Sequence, residues 1–236
     1  MNLRSVRPVL FAVCAASVAT LTSCGGSACI GFDGCVGVTP APNVALAGTA
    51  ATGKALASAN VSVSCAQGSG ATLSDGGGRY SLAFNATLPC MITVTAGGVT
   101  LHSLAFAGGT FNTTPETELM IVYLAAQLGT SASSLVANFA SNTQFQQALA
   151  NQSNVLNAQS AVVTNLQQHY ALTLSTPAFL TTAFVVGQAG VDSDLGVLAT
   201  AGAIDANGMP DAAAIALMSQ AGGANPLAKT LTPSGM

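Results

Sequence analysis

Between Val44 and Phe106 apolar residues fall at every second position in short runs, and glycine-rich breaks separate the runs. Val61, Val63 and Cys65 share one face of such a run. Tyr80, Leu82 and Phe84 share another, and Cys90, Ile92, Val94 and Ala96 a third. The intervening Ser62, Ser64, Ser81, Thr93 and Thr95 are free to meet water. A period of two sends successive side chains to opposite faces of a sheet, so the pattern predicts about seven short antiparallel strands with one apolar face. Ser74-Asp75-Gly76-Gly77-Gly78 reads as a tight turn before Tyr80. A phosphate loop would need Lys-Ser/Thr and a following helix, and neither is present.

The pattern changes at Asn112-Thr113-Thr114-Pro115-Glu116. Thr114 suits a helix cap and Pro115 the first helical position, while Glu116 and Glu118 complement the positive helix end. The apolar stretch Leu119 to Leu128 then runs to Gly129. Beyond it, Phe145, Leu149, Leu156, Val163, Leu166 and Tyr170 recur near helical spacing, with Asn and Gln on the other face. Asn151 to Asn154 marks a break between two helices. The expected fold class is therefore α+β: an N-terminal antiparallel β-sandwich followed by a mainly helical region.

At the start of the chain, Arg4 and Arg7 precede an uninterrupted apolar run from Val9 to Thr22. A positive head and a short apolar core are the layout of an export signal. The run is too short for the roughly 20 residues that a membrane span requires. Leu21-Thr22-Ser23-Cys24 resembles the lipobox of bacterial lipoproteins, in which an aliphatic and two small residues precede a cysteine that is acylated and becomes the mature N-terminus. The resemblance implies lipidation at Cys24, palmitate among the acyl groups, and Gly25 as the outer-membrane sorting choice in a cell with two membranes. Two or three acyl chains make a stable anchor where one is marginal.

Cys14 then leaves with the signal and Cys24 takes lipid, so Cys29, Cys35, Cys65 and Cys90 remain for two disulfides. The pairing read from the sequence is Cys29 with Cys35 and Cys65 with Cys90, one small loop and one domain-sized loop. Cys65 and Cys90 fall on the apolar faces of their strands, and a bond between sheets and a bond within one sheet are both allowed. A zinc site fits worse, because neither His102 nor His169 has a cysteine or second histidine at ligand spacing.

Composition narrows the partners. Charged residues make up 6% of the chain, against about 25% in ordinary globular proteins. Outside the signal only Lys54, Arg79 and Lys229 are basic, against eight acids. Nucleic acid is therefore not an expected partner, since phosphate binding needs clustered Lys and Arg. The expected contacts are the membrane, through the anchor, and a glycan or an envelope protein.

Gly48, Gly53-Lys54-Ala55-Leu56 and Ala59-Asn60-Val61-Ser62-Val63, then Thr72, Asp75, Gly76, Gly78 and Tyr80-Ser81-Leu82, resemble the carboxypeptidase-regulatory-like domain. That family has a transthyretin-like (Ig-like) β-sandwich and recurs in proteobacterial envelope lipoproteins. Ala55 departs from the proline that the family often has there. The resemblance implies a stabilising or binding module and no peptidase. The domains expected on this basis are a signal peptide (1–23), a lipidated Gly-rich tether (24–42), the sandwich (43–111) and a helical region (112–236). The Asn112–Leu119 stretch and Phe184–Leu195 look similar, more loosely, to the helical half of the same lipoproteins.

Catalytic chemistry is scarce. His102 and His169 lack a nucleophile at useful spacing, and no serine sits in Gly-x-Ser-x-Gly. Asp192, Asp194, Asp205, Asn207 and Asp211 are the best oxygen cluster, but their spacing departs from a calcium loop and lacks its closing glutamate. Helix caps and a turn account for these residues at this level. The reading is a non-enzymatic, lipid-anchored envelope protein with no catalytic, cofactor or metal residues and no cofactor, located at the outer membrane of a Gram-negative bacterium. Its role is noncatalytic binding or structural support. A carbohydrate-binding sandwich and an envelope hydrolase with an unrecognised site are the alternatives.

Overall fold

The computed structural model describes residues 40–227. The expected signal, Cys24, and the expected Cys29–Cys35 disulfide lie outside the described residues. The described chain is α+β, with seven strands followed by six helices. The strands are β1 (Asn43–Thr49), β2 (Asn60–Gln67), β3 (Ser69–Leu73), β4 (Arg79–Asn85), β5 (Thr87–Ala96), β6 (Val99–Ala105) and β7 (Gly109–Thr110). The helices are α1 (Pro115–Gln127), α2 (Ala132–Asn138), α3 (Thr143–Ala150), α4 (Gln152–Tyr170), α5 (Val191–Thr200) and α6 (Ala212–Gly223).

Two sheets form. One has the order β4-β1-β7 and the other β3-β2-β5-β6. All pairings are antiparallel except the two-residue pairing of β7 with β1, which is parallel. The register follows the alternation in the sequence: Val61 lies opposite Val94, Val63 opposite Ile92, and Cys65 opposite Cys90. All six side chains are buried, whereas Ser62, Ser81 and Thr95 are exposed. The Ser74–Gly78 stretch is the expected turn. Asp75 Oδ1 accepts from the backbone N–H groups of Gly77 and Arg79, each at 2.8 Å, and Gly78 takes a positive φ of 78°.

Cys65 and Cys90 are disulfide-bonded, with Cα atoms 3.8 Å apart. The bond joins directly opposed residues of neighbouring strands. Of the two arrangements open in the sequence, the one within a single sheet is therefore realised.

The four-stranded sheet is apolar on more than one face. Met91 and Leu104 are paired across β5 and β6 on the side opposite Ile92 and Val94, and both are buried. Helix α1 packs against β6 and α3 against β5. Almost all of α1 from Pro115 to Ala125 is buried, because its sequence is apolar around most of its circumference. α1 is the central helix, packed also against α2, α4 and α6, so strands and helices share one core. The break expected within Asn151 to Asn154 lies at Asn151, whose Oδ1 caps α4 by accepting from Ser153 N–H at 3.0 Å. Among the described residues no single helix is long and apolar enough to cross a membrane.

Candidate functional site

Between α4 and α5 the chain runs through residues 171–190 without a helix or strand, yet Phe179 and Leu180 are fully buried. A loop with buried backbone must find partners for its polar groups. Here side chains from three elements and the connection before α1 supply them. Asp194 Oδ1 on α5 accepts from Ser175 N–H and Ser175 Oγ, both at 2.9 Å, and its Oδ2 accepts from Thr176 N–H at 2.7 Å. Gln159 Oε1 on α4 accepts from Leu180 N–H at 3.1 Å. Asn112, just before α1, donates from Nδ2 to the carbonyls of Phe179 (2.8 Å) and Thr182 (2.7 Å), and its Oδ1 accepts from Thr49 N–H at 3.2 Å. Thr49 Oγ1 on β1 donates to the Phe184 carbonyl at 3.1 Å. We call residues 175–187 the strap.

The strap ends against the three-stranded sheet. Ala183, Phe184 and Val185 form one wall of an open cleft of about 520 Å³. Ala47 and Thr49 of β1, Ser81 of β4 and Thr110 of β7 contribute the sheet side, and Asp75, Arg79 and Tyr80 are also lining residues. Ala47 and Ser81 are register partners, as are Thr49 and Arg79, so these four side chains share one sheet face. Val185 is 42% exposed, a solvent-facing apolar wall.

Behind the cleft, the Tyr80 hydroxyl donates to the Phe111 carbonyl and lies 3.1 Å from Thr113 Oγ1. Burial pushes this hydroxyl well above the ordinary tyrosine range. Gly48 is required there: a Cβ would overlap the Phe111 carbonyl and the Tyr80 ring.

The helix start at α1 holds the other dense group of polar side chains. Thr114 and Thr117 form a reciprocal cap, as the Thr-Pro signal anticipates, and Thr117 Oγ1 also donates to the His102 carbonyl at 2.8 Å. Glu118 does more than complement the helix end. Its Oε2 accepts from His102 N–H at 2.6 Å and lies 2.9 Å from His102 Nδ1, which ties α1 to β6.

Glu116 departs further from the expectation. It is fully buried, and neither carboxyl oxygen has a hydrogen-bond partner. A carboxylate at a helix N-terminus gains about 0.3–1 kcal/mol from the macrodipole, whereas burying an ionised carboxylate costs several kcal/mol. Burial wins. It pushes the Glu116 carboxyl well above its usual range, and the nearby Asp194 charge pushes the same way.

The remaining residues singled out in the sequence lie apart. His169 is in the last turn of α4, edge-on to Tyr170 at a ring separation of 4.8 Å. Asp192 accepts from Gly187 N–H at 2.8 Å, Asp205 closes its own turn by accepting from Asn207 and Met209, and Asp211 caps α6. Those turn hydrogen bonds, led by the one from Met209, hold the Asp205 carboxyl below its ordinary value. Among the described residues no group of three or more His, Cys, Asp or Glu side chains is placed to hold a metal ion.

Neither the strap nor its anchors was legible as a site beforehand. Asp194 reads as a helix-start acid in the sequence, and only the fold brings Ser175 and Thr176 to it. No family model, curated protein or solved structure matches the chain.

Proposed function

We propose that this chain is a lipid-anchored protein of the bacterial cell envelope with a noncatalytic binding or structural role. We further propose that its two sheets make a transthyretin-like sandwich akin to the carboxypeptidase-regulatory-like domain. The observation that carries the reading is the Cys65–Cys90 disulfide. Structural disulfides persist in oxidising compartments, so the bond agrees with the export signal and with the Leu21–Cys24 motif. The sandwich reading is supported by the approach of the two sheets at one edge: Gly70 of β3 faces Leu82 and Phe84 of β4.

The noncatalytic part rests on how the buried polar groups are used. Asn112, Asp194, Gln159 and Thr49 all direct their side chains to backbone groups of the strap. These side chains build a wall, and the cleft beside that wall is the natural place for a partner. A carbohydrate partner draws less support. Sugar stacking wants exposed rings, and the two aromatic residues of the cleft, Tyr80 and Phe184, are only 4% and 8% exposed. An envelope protein is the partner class favoured.

The test is intact-mass analysis of the protein extracted from membranes of a Gram-negative host. The expected species begins at Cys24 and carries acyl mass, and Cys24→Ser accumulates as unprocessed or misplaced precursor. A mature form that starts elsewhere without acyl mass overturns the anchor.

A further inference from the structure

The cleft beside the strap carries a cation that the fold itself does not use. Arg79 lines it from the sheet side, on the same face as Ala47, Thr49 and Ser81. Asp75 pins its backbone twice: the Arg79 N–H donates to Asp75 Oδ1, and the Arg79 carbonyl accepts from Asp75 N–H, each at 2.8 Å. The Arg79 residue is exposed, and the one ion pair among the described residues joins His102 to Glu118, so no described acid is paired with the guanidinium. Lys54 is the only other Lys or Arg among residues 40–227, and it lines a different pocket.

The surroundings narrow what this cation can hold. Asp75 also lines the cleft, with its Oδ1 already shared by two N–H groups of the turn. One guanidinium beside one carboxylate suits a single negative charge better than a phosphate group of about −1.5 to −2. A guanidinium also matches a carboxylate with two parallel hydrogen bonds. On the strap side Ala183 and Val185 are apolar, whereas Ser81 and Thr110 bring hydroxyls to the sheet side. A purely aliphatic chain would strip water from those hydroxyls and give nothing back, while peptide groups supply new partners. The volume of about 520 Å³ falls in the range of roughly 300–1,000 Å³ typical of small-ligand sites, room for a few residues of chain.

We propose that the cleft captures the free C-terminus of a partner polypeptide: Arg79 holds the terminal carboxylate, small apolar side chains lie against Ala183 and Val185, and Ser81 and Thr110 serve the peptide groups. This rests on the binding reading above and adds which end of the partner is recognised.

The experiment is amide chemical-shift mapping on the full chain with three probes: acetyl-Ala-Val-Val as the free acid, the same peptide as its C-terminal amide, and octanoate. The acid is expected to shift the amides of Ser81, Thr110 and Val185 and to bind about three- to tenfold more tightly than the amide. That range lies between an exposed ion pair and a charge-assisted hydrogen bond. Arg79→Gln should bring acid and amide level, whereas Lys54→Gln, which removes the same charge from another pocket, should keep the preference. Both residues are exposed, and an unchanged amide spectrum away from the cleft checks that each variant is folded.

Equal loss of preference in K54Q would mean long-range attraction by net charge, which overturns the proposal. Acid and amide that bind the parent equally at these amides overturn carboxylate recognition and leave the cleft as a binding place. Shifts at none of these amides with any probe overturn both. Octanoate that binds there more tightly than the acid makes the occupant a lipid carboxylate and overturns the polypeptide.

Discussion

Asn112 shows how one side chain can set an interface. It is fully buried and serves three backbone groups at once, one on β1 and two on the strap. Truncation leaves those groups without partners in a dry seam, where each orphan costs about 1–3 kcal/mol. Asn112→Ala is therefore expected to lose roughly 3–5 kcal/mol, read as a lower urea midpoint, with the strap losing exchange protection first. An unchanged midpoint would mean that water replaces the side chain and that the strap is held elsewhere. The sequence showed Asn112 as the residue before a helix start. Its local neighbours explain Thr114 and Pro115, but its own partners lie more than 60 positions away, so no local pattern points to them.

At the scale of elements, β2 and β5 pair in the register that the alternation of Val61, Val63 and Cys65 with Cys90, Ile92 and Val94 implies. Matching parity on both strands leaves the two thiols facing the same side, and side-by-side placement of the strands then makes the disulfide a cross-strand pair. The bond closes a separation of 25 residues. On the chain-entropy estimate this stabilises by about 3–4 kcal/mol, mostly by restricting the unfolded chain. The Cys65→Ala/Cys90→Ala variant is expected to unfold at correspondingly lower denaturant, with a steeper dependence from its less compact unfolded state. Loss of the β2–β5 register in that variant, seen as missing cross-strand nuclear Overhauser contacts, would mean that the disulfide sets the pairing and does not merely lock it.

Over the whole molecule, the boundary near residue 111 that the sequence draws is a change of element type, with one core on both sides of it. Met91 and Leu104 point away from the face shared by Val63 and Ile92, and α1 covers that second face. A fragment of residues 40–111 would expose this apolar surface and lose the anchors from Asn112 and Glu118. It is expected to lack a cooperative unfolding transition and to give poorly dispersed amide spectra. A cooperative fragment would establish the strands as an independent domain. What the sequence determined by itself was local: strand parity, the Ser74–Gly78 turn, the Thr114–Pro115 helix start, the break at Asn151 and which thiols face the interior. Each depends on residues a few positions apart, whose periodicity and capping chemistry act before any distant contact forms. The tertiary structure alone decided that β5 and β6 are covered on a second face, that residues 175–187 form a strap beside a cleft, and that Glu116 is buried with no hydrogen-bond partner. These follow from long-range packing, because the energy of a buried polar group is set by which water it loses and which partner the fold supplies.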